Sequence, residues 1–231
     1  MKILAIDTAT DQLGVALVNE QRVLASYELL ADRPHAVELP QAVNRVLQAG
    51  GCTLAQLEGI AVDIGPGSFT GLRIGVAFVK ALVFRAKTPV IGVPSLDVLA
   101  ANVPMAPHRV CPILDAKQRK VYAAIYQTRD GVVRKASDYQ LVTLDELLPI
   151  LDTGGPVVLL GDGAALYRQR LAEALGERAL FAGPETWLPR AAALGRLGLE
   201  RLRQGLRDDP SRLVPMYLYP MTCTIQKPGS P

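Results

Sequence analysis

A chain of 231 residues, 49% hydrophobic, with 25 basic and 22 acidic residues for a formal net charge of +3, carries enough apolar material for one large core or two small ones, which excludes general disorder. The charge surplus is small and scattered along the sequence, so it gives no argument for direct nucleic-acid binding, which needs a clustered basic face. Cys52, Cys111 and Cys223 are odd in number and lack paired spacing, so neither a disulfide framework nor a zinc knuckle is expected. Asp7 interrupts the first apolar run and no stretch is long enough to cross a bilayer, so neither a leader nor membrane contact is expected and the cytoplasm is the expected compartment.

In chain order, Lys2 to Ile6 is an apolar run ending in the polar loop Asp7-Thr8-Ala9-Thr10-Asp11. Leu13 to Val18 and Arg22 to Leu29 follow as strands that turn about Asn19-Glu20, completing a three-stranded meander. A carboxylate closing a first strand, followed by small hydroxyl residues, is how actin-like and sugar-kinase-like ATPases address metal and phosphate. Asp7, Thr8 and Thr10 serve equally well to cap and turn the hairpin, and both readings stand. Pro34 to Ala49 carries Val37, Leu39, Val43, Val46 and Leu47 at helical spacing, with Pro40 delaying or bending the helix and Gly50-Gly51 ending it. His35 and Glu38 invite a metal reading, but zinc needs a third protein ligand and His108 has no carboxylate at ligand spacing. No metal is therefore expected, and His35 is read as surface or interface packing. Thr53 and Gln56 form a capping box for a one-turn helix.

Gly59 to Ile64 reads as a buried strand, and Gly65-Pro66-Gly67-Ser68-Phe69-Thr70-Gly71-Leu72-Arg73-Ile74-Gly75 begins as a turn and ends inside a helix. From Leu72 to Arg85 the only polar side chains are Arg73, Lys80 and Arg85, and Arg73 and Lys80 share one narrow stripe. Such a helix is either sandwiched inside its own domain or presents an apolar face to another protein. A Walker-type loop needs a lysine that this segment lacks before Lys80; a dinucleotide fingerprint wants glycine where Thr70 stands and an acid after Val90 to Val93. The glycines are read as setting turn geometry and close helix packing, with Gly71 and Gly75 one turn apart so that another backbone can approach.

Pro89 to Val93 is a strand, and Ser95 is the expected N-cap of a helix through Ala101. Met105-Ala106-Pro107 marks the expected lobe boundary. The pattern then restarts: Cys111 to Asp115 ends an apolar run with an aspartate as Leu4 to Asp7 does, and Val121 to Tyr126 follows. The chain turns at Asp130-Gly131, runs through Tyr139 to Val142 and enters a helix at Thr143, boxed by Glu146. Val157 to Leu160 leads through Gly161-Asp162-Gly163, read as a turn, to a helix over Ala164 to Leu175. The last helix, Pro189 to Gln204, has Leu194, Leu197 and Leu202 on its apolar face and Arg196, Arg201 and Arg203 on its solvated side. The expected fold is α/β, a two-lobed actin-like, ribonuclease H-like arrangement of mixed sheets flanked by helices. Its lobes span residues 1–104 and, smaller, 105–231.

The eleven residues Gly65 to Gly75 after a strand, with Ile6-Asp7-Thr8-Ala9-Thr10, His35 ahead of a helix, Asp115-Ala116 and Pro215-Met216-Tyr217-Leu218, resemble the TsaB (YeaZ) family, bacterial proteins needed to make threonylcarbamoyl adenosine in tRNA. The resemblance runs from Met1 to about Leu218. It implies a noncatalytic subunit that binds TsaD and, through it, the TsaE ATPase, with tRNA met indirectly as the complex's substrate and a homodimer in isolation. It implies no cofactor of the chain's own, with ATP or ADP at the complex interface; Asp7, Thr8, Thr10, Lys117 and Arg119 are the candidates for nucleotide contact. The positions matching the family's partner helices are His35, Glu38, Leu39, Val43, Leu72, Arg73, Val76 and Lys80. TsaD relatives hold a metal with paired histidines one helical turn apart, and this chain has none, nor a nucleophile motif for a peptidase. Two departures stand out: Tyr219-Pro220 replaces the arginine that many relatives carry, and Lys117 replaces an arginine after Asp-Ala. The rival reading is a stand-alone ATPase or small-molecule kinase using Asp7 and Thr10, and a third is a homodimer whose surface serves only self-association.

Overall fold

The computed structural model describes residues 1–30, 35–129 and 132–219. The predicted helix start at Pro34, the turn at Asp130-Gly131, Cys223 and the tail from Pro220 lie outside the described residues. The first sheet takes its strands in the order β3-β2-β1-β4-β5: β1 (Ile3–Asp7), β2 (Gln12–Val18), β3 (Val23–Leu30), β4 (Gly59–Gly65) and β5 (Val90–Pro94). β1 runs antiparallel to β2, and β2 to β3, while β1, β4 and β5 are parallel. The near-continuous apolar runs of β1, β4 and β5 fit strands covered on both faces, whereas β3 leaves Ser26, Glu28 and Leu30 exposed at the sheet's edge.

The period-two alternation of strand side chains divides the sheet's two cores. Leu4, Ile6, Val15 and Val62 meet α1 (His35–Ala49) and α2 (Phe69–Ala86) on one face. Ile3, Ala5, Ala16 and Ala61 meet α7 (Ala191–Arg203) on the other. α7 thus follows the second sheet in the chain but covers the first.

The second sheet repeats the order, β10-β7-β6-β11-β12, with β6 (Arg109–Asp115), β7 (Lys120–Ala123), β10 (Gln140–Thr143), β11 (Val157–Leu160) and β12 (Ala179–Phe181). A hairpin of β8 (Tyr126–Arg129) and β9 (Val132–Lys135) branches from β6. α4 (Leu144–Asp152) and α6 (Arg168–Leu175) contribute to its core. α3 (Ser95–Ala100) lies between the lobes, where Leu96 and Leu99 pack with Leu114, Tyr122 and Tyr126. An acid on α3 ties both lobes to α7. Asp97 Oδ1 accepts from the Tyr126 and Tyr139 hydroxyls at 2.6 and 2.8 Å, and its Oδ2 accepts from Arg201 Nη2 at 2.5 Å.

Both predicted capping boxes form, with Thr143 N donating to Glu146 Oε2 at 2.7 Å and Thr53 N to Gln56 Oε1 at 2.9 Å. Three local expectations are corrected. Ser95 is the first helical residue rather than the cap, because its hydroxyl is drawn to Asp63 Oδ1 at 2.6 Å. The helix expected over Ala164 to Leu175 breaks at Tyr167 into α5 (Asp162–Leu166) and α6. Arg201 is not on a solvated side, since Asp97 holds it in the interlobe contact. Cys52 and Cys111 are buried free thiols, and burial pushes the Cys111 thiol up to about 12.

α2 buries one face only: Leu72, Val76, Val79 and Val83 enter the core under the first sheet. Val76 is 5% exposed, so a carboxylate there would be an uncompensated buried charge. We expect Val76→Glu to lose about 3–5 kcal/mol of stability, read as a thermal midpoint well below that of the parent; an unchanged midpoint would mean that this side chain can turn outward.

Candidate functional site

The loop after β1 and the glycine segment before α2 meet backbone to backbone. The Thr8 hydroxyl donates to the Gly71 carbonyl at 2.7 Å, and Ser68 N donates to the Ala9 carbonyl at 2.7 Å. A methyl group at Gly67 would overlap the Ala9 carbonyl oxygen, and one at Gly71 the Thr8 carbonyl oxygen. The glycines are there because two main chains touch, as the close-packing reading anticipates. Ser68 caps the helix by accepting from Gly71 N at 3.2 Å. Where a phosphate would approach a helix start, this chain places its own first loop. His35 reinforces the seat: its Nε2 donates to the Thr10 carbonyl at 2.8 Å, tying the start of α1 to the same loop.

The corresponding turn of the second lobe is of another kind. Lys117, Gln118 and Arg119 have φ of 63°, 50° and 61°, three successive left-handed residues at a cost of about 1–2 kcal/mol each. Local bonds hold them: Lys117 N and Nζ reach the Asp115 carboxylate at 2.9 and 2.6 Å, and Lys120 N donates to the Lys117 carbonyl at 2.9 Å. Asp162, expected in a turn, is the first residue of α5; it accepts from Asp115 N at 2.9 Å and so braces the same hairpin. The hydrogen bond it donates to Asp115 and the nearby charges of Asp115, Asp162 and Asp11 hold the Lys117 ammonium above its usual range. Lys117 and Arg119 keep their charged ends in solvent.

The eight positions matching the family's partner helices divide sharply. Leu39, Val43, Leu72 and Val76 are 0%, 4%, 1% and 5% exposed; they attach α1 and α2 to the chain's own sheet, which corrects their expected place on a docking surface. Glu38 is buried with them, and His35 is half-buried at the loop contact. Arg73 is exposed, its guanidinium 3.7 Å from the centre of the Phe69 ring and its Nε donating to the Tyr217 hydroxyl at 3.1 Å. Lys80 is half-buried and donates to the Ser211 carbonyl at 3.3 Å. The outward stripe of α2 is instead Thr70, Arg73, Ala77, Ala81 and Phe84, with Phe84 90% exposed. Sequence reasoning passed over Phe69, Ala77, Ala81, Phe84 and Tyr217. For the α2 members the signal was their helical spacing from Arg73 and Lys80, the polar stripe that marks the side away from the sheet. Among the described residues, no three His, Cys, Asp or Glu side chains are placed to hold a metal, and no helix is long and apolar enough to cross a membrane.

Of the nucleotide candidates on the first lobe, Thr10 is half-buried and accepts from Gln12 N at 3.2 Å, while Asp7 and Thr8 are 1% and 0% exposed. Asp7 instead pairs with Asp63 on the neighbouring parallel strand. Asp7 Oδ1 accepts from Ala9 N at 2.9 Å and Asp63 Oδ1 from Gly65 N at 2.7 Å, so each acid also fixes one of the two touching loops. Their Oδ2 atoms are buried without a hydrogen-bond partner, and each carboxyl feels the other. Burial first, and then the charge of Asp63, hold Asp7 well above the usual carboxylate range; burial raises Asp63 to about 7. The folded state therefore keeps protons that the unfolded chain has released above about pH 4, so stability falls as pH rises from there through about 7. Asp7→Asn keeps the acceptor for Ala9 N and supplies a permanent donor to Asp63. It should flatten that slope and gain on the order of 2 kcal/mol at pH 8, measured by urea unfolding from pH 5 to 8; an unchanged slope would assign the dependence elsewhere.

With the geometry in hand, comparison with known proteins is direct. The family model described as TsaD, tRNA N6-adenosine threonylcarbamoyltransferase, matches residues 28–224. The tRNA threonylcarbamoyladenosine biosynthesis protein TsaB of Bacillus subtilis is 35% identical over 219 residues, 94% of either chain. The solved structure of YeaZ from Pseudomonas aeruginosa superposes with a TM-score of 0.81 at 29% identity, covering 94% of this chain and 99% of that one. A more distant likeness, to component A of the (R)-2-hydroxyglutaryl-CoA dehydratase of Acidaminococcus fermentans, has a TM-score of 0.52 at 10% identity over 88% of this chain and 99% of the other. It bears on fold alone, which is the two-lobed actin-like fold. From the YeaZ superposition and the near full-length match to the Bacillus protein, the chain belongs to the TsaB family.

Proposed function

We propose that this chain is a noncatalytic subunit of the machinery that makes threonylcarbamoyladenosine in tRNA, binding the threonylcarbamoyltransferase TsaD and supporting transfer to an adenosine of the anticodon loop. The observation that carries the reading is the outward stripe of α2. Ala77 and Ala81 stand one turn apart and leave room for a second helix to lie close, while Phe84, 90% exposed, offers a ring whose burial is worth about 2 kcal/mol. Arg73, stacked on Phe69 and held by Tyr217, gives one end of the stripe a fixed charge. The same stripe serves self-pairing when the partner is absent, so homodimer and mixed complex compete for it. TsaE joins through TsaD. A nucleotide at the subunit boundary would meet Lys117, exposed though paired with Asp115, and the exposed Arg119, and the work on tRNA belongs in the cytoplasm.

The buried state of Asp7 and Thr8 speaks for a partner role over the kinase reading, since neither side chain is open to a phosphate in this arrangement. The purified chain should accordingly turn over no ATP by itself; turnover abolished by Asp7→Ala would establish the rival instead. The assembly claim is tested by mixing with TsaD and following mass by light scattering. Ala77→Glu combined with Phe84→Ser should leave the thermal midpoint within a few degrees of the parent, because both positions are exposed, and reduce the mixed complex at least tenfold. A complex of undiminished affinity would remove α2 from the interface.

A further inference from the structure

We infer that the open groove between α3, the β8–β9 hairpin and α7 binds the phosphate backbone of folded RNA, so that this chain touches tRNA directly. The inference rests on the proposed role in tRNA modification and deepens it. The groove has a volume of about 1000 Å³ and is lined by five basic side chains, Arg134, Lys135, Arg190, Arg196 and Arg201, against Asp97 and Glu200. That excess of three equals the formal net charge of the whole chain, so the remaining residues balance in charge. The cations come from segments far apart in sequence, which is why the chain reads as having scattered charge.

Only Arg201 is neutralised at close range, by Asp97 at 2.5 Å. Arg190 Nε stands 3.8 Å from Glu28 and remains half exposed. Arg134 and Arg196 are exposed and pair with no carboxylate among the described residues. Lys135 Nζ lies 3.8 Å from the centre of the Tyr139 ring, which holds the ammonium at the groove wall without cancelling its charge. Guanidinium groups suit phosphate because their planar fork donates two parallel bonds. The apolar lining, Val133, Ala193 and Leu197, is already half-buried and has nothing like Phe84 to anchor a protein helix. The attraction of this groove is therefore electrostatic, and it favours a polyanion over an apolar partner face.

The test titrates an unmodified tRNA transcript into the parent chain and into a variant combining Arg134→Ala, Lys135→Ala and Arg196→Ala, each alone and mixed with TsaD, with fluorescence anisotropy as the readout. These exposed positions lie outside the α2 stripe and the loop contact, so folding and assembly should be unchanged. We expect the variant to bind RNA at least tenfold more weakly. The plot of log affinity against log salt concentration should lose about two from its slope, since each phosphate contact contributes about 0.7–0.9. Equal affinity and slope for parent and variant would overturn the inference, as would polyglutamate displacing the parent as effectively as RNA does, which would mark the groove as a site for acidic protein. Failure of the parent to form any complex with TsaD would instead defeat the assembly proposal, and RNA binding by the free chain would still decide the groove.

Discussion

Where Gly67 and Gly71 lie against the carbonyls of Ala9 and Thr8, two main chains approach closer than any side chain would permit, and the rest of the first lobe is arranged around that contact. Bonds cross the contact in both directions: the Thr8 hydroxyl donates to the Gly71 carbonyl, and Ser68 N donates to the Ala9 carbonyl. Beneath, Asp7 and Asp63 each hold one of the two loops by a backbone amide, and burial keeps both carboxyls above the usual carboxylate range. Strand, loop and helix start are thereby locked in one geometry, and α2 leaves the contact at a fixed angle. Burying two acids is costly unless they are paired and bonded, so this arrangement holds only while both loops stay in place.

That contact also takes up the polar groups that follow β1. The first lobe retains the acid and hydroxyls after β1 but uses them internally, while the second lobe keeps a strained, exposed turn at Lys117 to Arg119. What is left for other molecules is surface: an apolar stripe on α2 in one place, and in another a basic groove walled by α3, α7 and the β8–β9 hairpin. The Asp97 cluster with Tyr126, Tyr139 and Arg201 joins the two lobes along that groove and holds its walls in register.

Much of this was legible in the sequence. The meander, the two parallel crossovers and their repetition in the second half follow from runs ending in Asp7 and Asp115, and both capping boxes were visible as residue pairs. The glycine spacing announced that some backbone would approach α2. It could not say which, because the approach is between segments about 60 residues apart. Five of the eight partner positions taken from the resemblance, Glu38, Leu39, Val43, Leu72 and Val76, are buried in the chain's own fold. The stripe of Arg73 and Lys80 marks the outside of α2, and Ala77, Ala81 and Phe84 lie along it, so the inward turn of Leu72 and Val76 was legible from the polar positions. The basic groove was invisible because its arginines are brought together only when α7 folds back across the first sheet. Ser95, expected as a cap, was drawn off by Asp63, a competition that no local rule reports.

The account turns on α2 being anchored by one face and offering the other. Hydrogen exchange of its amides, followed with and without TsaD, tests this most directly. The amides of 72–84 should exchange slowly in the free chain, as expected for a helix packed on a sheet, and more slowly again on mixing, with β11 and β12 unchanged. Added protection confined to the second lobe, with α2 unaffected by the partner, would contradict it.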